Sequence, residues 1–286
     1  MEIWNEPDFG TQFWPAPRTR VEFFDLFVRT AKAIKAAYPA LKVGGPALTQ
    51  ASFVSTEGKA YLNALLSHIK TNNAPLDFLS WHCYSSDPKD YSTGAAYIRQ
   101  QLDANGFTAS ESVISEFNTD DNDPDVDALR LGGQGAAIIS GAWISLIKAG
   151  VSQAFLYRGN DTSMNLPTFF GLFYADGSYK RNAYAFSLWA RASTYPTMQE
   201  LVATSAAVSD LSKIYFLAGK NSVGEKAVLI ANPTASVLTA NLVGLNLPIK
   251  SRTVSDASGV LQEGLQQNNT VSIPAHSASL FTSDGR

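Results

Sequence analysis

Two glutamates sit where apolar runs give way to loops. Glu6 follows Ile3-Trp4-Asn5, and Glu116 follows Val113-Ile114-Ser115. Paired carboxylates can share one task, in which a protonated member feeds a leaving oxygen and an ionised member attacks carbon. That division cleaves glycosidic bonds, with the carboxyl groups about 5 Å apart when anomeric configuration is retained. Other nucleophiles fit less well. Cys83 neighbours His82, and Ser115 neighbours Glu116, but adjacent residues on a strand face opposite ways and form no dyad. The chain has no Gly-x-Ser-x-Gly elbow.

Glu6 and Glu116 need elements that carry them to one place. Val21 to Tyr38 has a helical pattern, with Phe23, Phe24, Phe27, Ala31, Ile34 and Ala37 three or four apart, and Pro39 stops it. Leu41 to Val43 reads as a short strand closed by Gly44-Gly45-Pro46. A helix over Tyr61 to Ile69, a strand over Phe78 to Tyr84 and a helix over Thr93 to Asn105 follow. Ser112 to Phe117 reads as a strand, Gly133 to Ala149 as a helix, Val151 to Tyr157 as a strand and Tyr179 to Ala192 as a helix. With Glu2 to Asn5 as a strand end, five strands precede residue 157, alternating with helices in parallel βαβ order. From about residue 196 the pattern turns β-rich, with strands expected at Lys213–Ala218, Lys226–Asn232, Ser236–Leu242, Lys250–Asp256 and Thr270–Thr282. The expected domains are 1–195, built of βα units, and 196–286, an antiparallel β-sandwich. In a parallel α/β barrel the C-terminal strand ends converge on one face, which is where Glu6 and Glu116 would meet.

The motifs add a resemblance. Trp4-Asn5-Glu6-Pro7-Asp8 resembles the acid/base motif on the fourth strand of clan A glycoside hydrolases. Ser80-Trp81-His82-Cys83-Tyr84 resembles the sixth strand, and Ser115-Glu116-Phe117-Asn118 the seventh, which bears the nucleophile. The segment Phe170 to Gly177, with Lys180 and Ala183 to Phe186, is similar to the stretch after the eighth strand. The order is most similar to glycoside hydrolase family 39, which contains β-xylosidases. The resemblance implies an incomplete (β/α) TIM-type barrel comprising strands four to eight, the first three lacking, followed by the β-sandwich. It implies a retaining hydrolase of a xyloside-like substrate, with Glu6 as acid/base and Glu116 as nucleophile. Asn5 would donate to the sugar 2-hydroxyl, Tyr84 would hydrogen-bond Glu116, and His82 would line the same subsite. Tyr157 and Arg158 fall where the eighth strand ends, as further substrate contacts. Read without the resemblance, His82 is equally a satisfied core histidine, and Trp14 with Phe13 is either a sugar-stacking platform or loop packing.

A barrel begun at its fourth strand would leave open edges and an exposed inner face, so association as a homo-oligomer, most simply a dimer, is expected. An impaired glycosidase leaves two alternatives: a carboxylesterase for short-chain esters in an opened cleft, and a non-catalytic carbohydrate-binding protein.

Composition narrows the partners. The formal net charge of −3 over 286 residues argues against a nucleic-acid partner. One cysteine excludes an intrachain disulfide, and three histidines leave little for a metal site. The acidic stretch Asp120 to Asp127 reads as a solvated loop before it reads as a calcium loop. No cofactor, metal or membrane is expected. Asn160 and Asn268 fit the glycosylation pattern, and no signal peptide follows Met1, so the location stays open between cytoplasm and secretion.

Overall fold

In the computed structural model, residues 1–120, 122–165, 169–199, 213–257 and 261–283 are described. The chain forms two compact units. The first takes Met1–Ser85, Lys89–Asn118 and Leu146–Tyr157; the second takes Ser86–Pro88, Thr119–Ser145 and the chain from Arg158 onward. The expected boundary at 195/196 lies inside the second unit.

The elements run α1 (Arg20–Ala37), β1 (Gly44–Leu48), α2 (Ala51–Val54), α3 (Thr56–Thr71), β2 (Phe78–Tyr84), α4 (Pro88–Ala104) and β3 (Glu111–Asn118). Then come α5 (Val126–Leu131), α6 (Gly133–Lys148), β4 (Gln153–Leu156), α7 (Arg181–Ala192) and β5 (Thr197–Gln199). Seven further strands complete the chain: β6 (Tyr215–Lys220), β7 (Lys226–Asn232), β8 (Leu238–Asn241), β9 (Ile249–Val254), β10 (Gln262–Gln266), β11 (Thr270–Ile273) and β12 (Ser277–Thr282).

The first unit holds a four-stranded parallel sheet in the order β1-β2-β3-β4. Consecutive parallel strands need long crossovers, which helices supply. Each helix buries one stripe: Phe23, Phe24, Phe27, Val28 and Ala31 on α1, and Leu62, Leu65, Leu66 and Ile69 on α3. On α4 the buried stripe is Tyr91, Ala95, Ile98 and Leu102. Thr19 starts α1 with a full capping box to Glu22. The expected first strand, Glu2 to Asn5, is reduced to an isolated parallel bridge from Glu2 to Gly44, so four strands form the sheet where five were expected. The strand expected at Leu41 to Val43 lies three residues later and runs through Gly44-Gly45-Pro46, every residue buried. These glycines belong to the strand because a Cβ on Gly44 would stand 2.0 Å from the Phe78 carbonyl oxygen, and one on Gly45 2.8 Å from that of Ile3.

In the second unit a six-stranded antiparallel sheet runs β10-β9-β12-β7-β6-β5, and β8 pairs with β11 apart from it. Both sheets feed one core, with Val228, Ile230, Ile249 and Phe281 from the larger and Val271 and Ile273 from the smaller. The stretch read as one strand over Thr270–Thr282 is two strands, parted by Pro274 to His276. The acidic stretch ends in α5, and two of its carboxylates serve local turns: Asp120 accepts from Asn122 N–H and Asp123 from Asp125 N–H. No helix among the described residues is long and apolar enough to cross a membrane.

Candidate active site

The site lies at the C-terminal edge of the parallel sheet, within the first unit. Straight pairing of β2 with β3 would set Ser115 opposite His82. The register instead slips between Trp81 and His82, so that Trp81 faces Ile114 and His82 faces Glu116. One extra residue on β3 re-aims everything after it, which is what a bulge does to a strand. Side chains alternate along a strand, so the slip brings Glu116 onto the row of His82 and Tyr84. Cys83 points the other way into the core, and burial pushes its thiol well above its ordinary range.

Glu6 reaches the same place from a loop. Its backbone N–H donates to the Ala47 carbonyl of β1 at 3.0 Å, and Ile3 N–H donates to Gly44 O at 2.8 Å. Trp4 and Glu6 both adopt left-handed backbone, with φ of 74° and 46°. Residues with a Cβ adopt it at a cost of about 1–2 kcal/mol each. The turn is held by Asp8, whose carboxylate accepts from Thr49 N–H at 3.1 Å and Thr49 Oγ1 at 2.7 Å. Burial raises Asp8's pKa, and the Thr49 bonds oppose that.

His82 joins the two carboxylates. Its Nδ1 lies 2.7 Å from Glu6 Oε1 and 3.7 Å from Glu116 Oε2. The ring is almost wholly buried, whereas Glu6 and Glu116 keep 17% and 29% of their side-chain surface exposed. Nε2 of His82 is buried and has no hydrogen-bond partner among the described residues. Nδ1, facing carboxylate oxygens, is the ring nitrogen placed to donate to them.

Tyr84 donates its hydroxyl to Glu116 Oε2 at 2.7 Å. Burial first, then the Glu116 carboxylate, push the Tyr84 pKa far above its ordinary value, so the hydroxyl stays protonated and donating. The Tyr157 ring stands edge-on to Tyr84, with centroids 6.4 Å apart, and Asn118 donates its side-chain amide to the Tyr157 carbonyl. Asn5, half-buried beside Glu6, makes no side-chain hydrogen bond among the described residues.

The structure thus gathers Glu6, His82, Tyr84, Glu116 and Tyr157 in one place, with Asn5 next to Glu6 in the chain. Arg158 lies in the second unit, with its guanidinium over the Phe169 ring. Trp14 is packed away: its ring is T-shaped against Trp4 and Phe23, Arg18 covers it, and its indole N–H donates to Thr19 O at 2.8 Å. In that cluster Trp4, at 43% exposure, presents the open indole. Sequence reasoning passed over Thr49 and the anchoring role of Asp8. Asp8 stood within the quoted motif, but the bond to Thr49 spans 41 residues and left no local signal.

Comparison with known proteins adds a family likeness over the first part of the chain. Residues 1–121 match the model of glycosyl hydrolases family 39. Over 119 residues the chain is 31% identical to a β-xylosidase of Geobacillus stearothermophilus, a match covering 42% of this chain and 21% of that protein. Over 87 residues it is 37% identical to a β-xylosidase of Caldicellulosiruptor saccharolyticus, covering 30% and 16%. The matches therefore span about a fifth or less of those relatives. Among solved structures, a glucosidase from Croceicoccus marinus superposes with a TM-score of 0.73 at 24% identity, over 98% of this chain and 68% of that one. A monomeric β-xylosidase from Caulobacter crescentus gives 0.68 at 18%, over the same shares. These two likenesses show a shared mixed α/β fold. The matched residues 1–121 carry Glu6, His82, Tyr84 and Glu116, so over that stretch this chain is similar to the glycosyl hydrolases of family 39.

Proposed function

We propose that the chain is a retaining glycoside hydrolase acting on β-xylosides, with Glu6 as acid/base and Glu116 as nucleophile. The observation that carries this reading is the single His82 nitrogen lying 2.7 Å from one carboxylate and 3.7 Å from the other. The nearer oxygens are then no further apart than the sum of those distances. Two carboxylates that share one nitrogen in this way lie close together, which supports the roughly 5 Å spacing of retaining enzymes over the wider spacing of inverting ones.

Glu116 attacks the anomeric carbon while the bond to the leaving oxygen breaks, and Glu6 delivers its proton to that oxygen. Glu6 then takes a proton from a water that attacks the same carbon and displaces Glu116. The His82 bond to Glu6 Oε1 leaves Oε2 to carry the transferred proton. The Tyr84 bond to Glu116 Oε2 leaves Oε1 for the attack. Asn5 offers an uncommitted amide to a sugar hydroxyl, and Tyr157 offers an aromatic edge beside Tyr84. The β-xyloside preference rests on the two curated relatives, both of which are β-xylosidases.

Hydrolysis of nitrophenyl β-xyloside, with the first-formed anomer followed by NMR, tests the reading. Turnover with retained configuration is expected. Glu116→Gln abolishes it, and Glu6→Gln lowers it by about 10²–10⁴-fold. An inverted product, or turnover confined to nitrophenyl esters and indifferent to both substitutions, overturns it.

A further inference from the structure

The second unit carries a cleft of about 490 Å³ lined by Tyr174, Tyr179, Arg181, Asp127 and Asp256. That volume lies within the range of small-molecule sites, about 300–1,000 Å³. The catalytic residues proposed above are all absent from its lining.

Local structure explains why two tyrosines meet there. Tyr174 N–H donates to Ser178 O at 2.9 Å, and Gly177 N–H donates to Tyr174 O at 2.9 Å. Gly177 sits at φ +86°, where a Cβ would be strained. This tight turn holds Tyr174 and Tyr179 at its two stems. Phe173 and Tyr184 flank the Tyr179 ring, with centroids 5.2 and 6.1 Å away. The ring is fixed by its neighbours and still 62% exposed. A large aromatic ring held in place by its neighbours and open to water offers a flat apolar face for stacking.

The polar lining is fixed too. Asp256 accepts from Gly133 N–H at 2.6 Å and stands 3.4 Å from both Arg181 Nη1 and His276 Nδ1. Arg181 and Asp256 nonetheless keep 30% and 44% of their side-chain surface open. A fixed carboxylate beside a guanidinium presents acceptors and planar donors together, the pattern that vicinal hydroxyls satisfy. Exposed Asp127 adds a second negative charge on the wall, which disfavours acidic ligands. Lys180 does not offset it, because its ammonium is buried against Asp161.

We infer that this cleft is a second carbohydrate-binding site, taking one or two neutral pyranose units. Tyr179 stacks on the C–H face of the sugar, and Arg181 with Asp256 bonds adjacent hydroxyls. The inference stands on these residues and not on the proposed catalysis.

The test is calorimetric titration of xylobiose into the Glu116→Gln protein, alone and combined with Tyr179→Ala or Arg181→Ala. Either second substitution is expected to remove one binding event per chain or weaken it at least tenfold, while Tyr179→Phe keeps it. Binding indifferent to both substitutions, or no binding at all, overturns the site. Nitrophenyl β-xyloside turnover is expected to be unchanged by Tyr179→Ala in the otherwise native chain. Loss of turnover with an unchanged melting temperature would place Tyr179 in the active site and overturn a second site. If the native chain turns over no glycoside but Tyr179-sensitive binding persists, the glycosidase reading fails and this inference holds.

Discussion

Tyr84 shows how one side chain can set the state of another. It donates to Glu116 from a buried position, and both burial and the carboxylate hold its hydroxyl protonated. A hydrogen bond to a charged group contributes roughly 1.5–3 kcal/mol. Tyr84→Phe is therefore expected to lower kcat/KM by about 10–100-fold with the fold intact. The sign of the Tyr84 shift adds a second readout. A phenol pushed upward does not titrate in the working range, so any alkaline limb in the pH profile belongs to another group. Steady-state kinetics across pH should show that limb unmoved in Tyr84→Phe; its disappearance would refute the assignment. At this scale short motifs singled out Glu6, Glu116, His82 and Tyr84, and these four side chains do come together. Trp14 was not legible, since an aromatic residue in a loop reads alike whether it packs inward, as here, or faces ligand. Its burial comes from Phe23 and Arg18 closing on it.

Secondary structure was legible where burial follows a period. On α1 the spacing of Phe23, Phe24, Phe27 and Ala31 marked the buried stripe, though Ala37, expected on it, is exposed and Val28, not named, is buried; β7 matched its expected bounds as a continuous apolar run. β1 could not be read in this way, because glycine and proline read as strand terminators, while here the glycines admit the backbones of Phe78 and Ile3. The slip at Ser115 was equally hidden, since a register is a property of two strands and not of one. Gly45 allows an experiment at this scale. Its φ of +124° and the 2.8 Å approach of Ile3 O leave no room for a methyl group. Strain of this kind costs on the order of 1–3 kcal/mol. Part of it would be relieved by pushing away the Ile3–Glu6 segment, whose bonds to Gly44 and Ala47 hold Glu6 in place. Gly45→Ala should therefore lose activity beyond what its unfolded fraction explains. The check is kcat/KM beside a thermal melt; unchanged activity per folded molecule would show that β1 does not position Glu6.

Across the whole chain, composition marked the change to β-rich sequence near residue 196 but not the division into units. Reading in chain order assumes contiguous domains, yet Thr119–Ser145 belongs with the later residues. The reason lies in α6, where Gly133, Gly135 and Gly141 let its backbone come close to Ser255, Asn182 and Tyr215. Such partners lie some 45 to 120 residues away, and glycine alone does not name them. The second unit also encloses an ion pair that no spacing rule reveals. Lys180 and Asp161 meet with both side chains wholly buried. Asp161 also accepts from Gly171 N–H at 2.7 Å, and Lys180 donates to Phe169 O at 3.2 Å. Burial pulls the Lys180 pKa down, and the bond to Asp161 opposes it. Breaking one side of such a pair typically costs about 3–5 kcal/mol, because the remaining charge stays desolvated, whereas replacing both is often nearly neutral. Asp161→Asn keeps an acceptor for Gly171 but removes the counter-charge, so it should destabilise the second unit by that amount in urea unfolding. Adding Lys180→Met removes the stranded ammonium and should recover most of the loss. If the single substitution is silent, or the double costs more than the single, the pair does not hold the 161–180 segment in the way its burial implies.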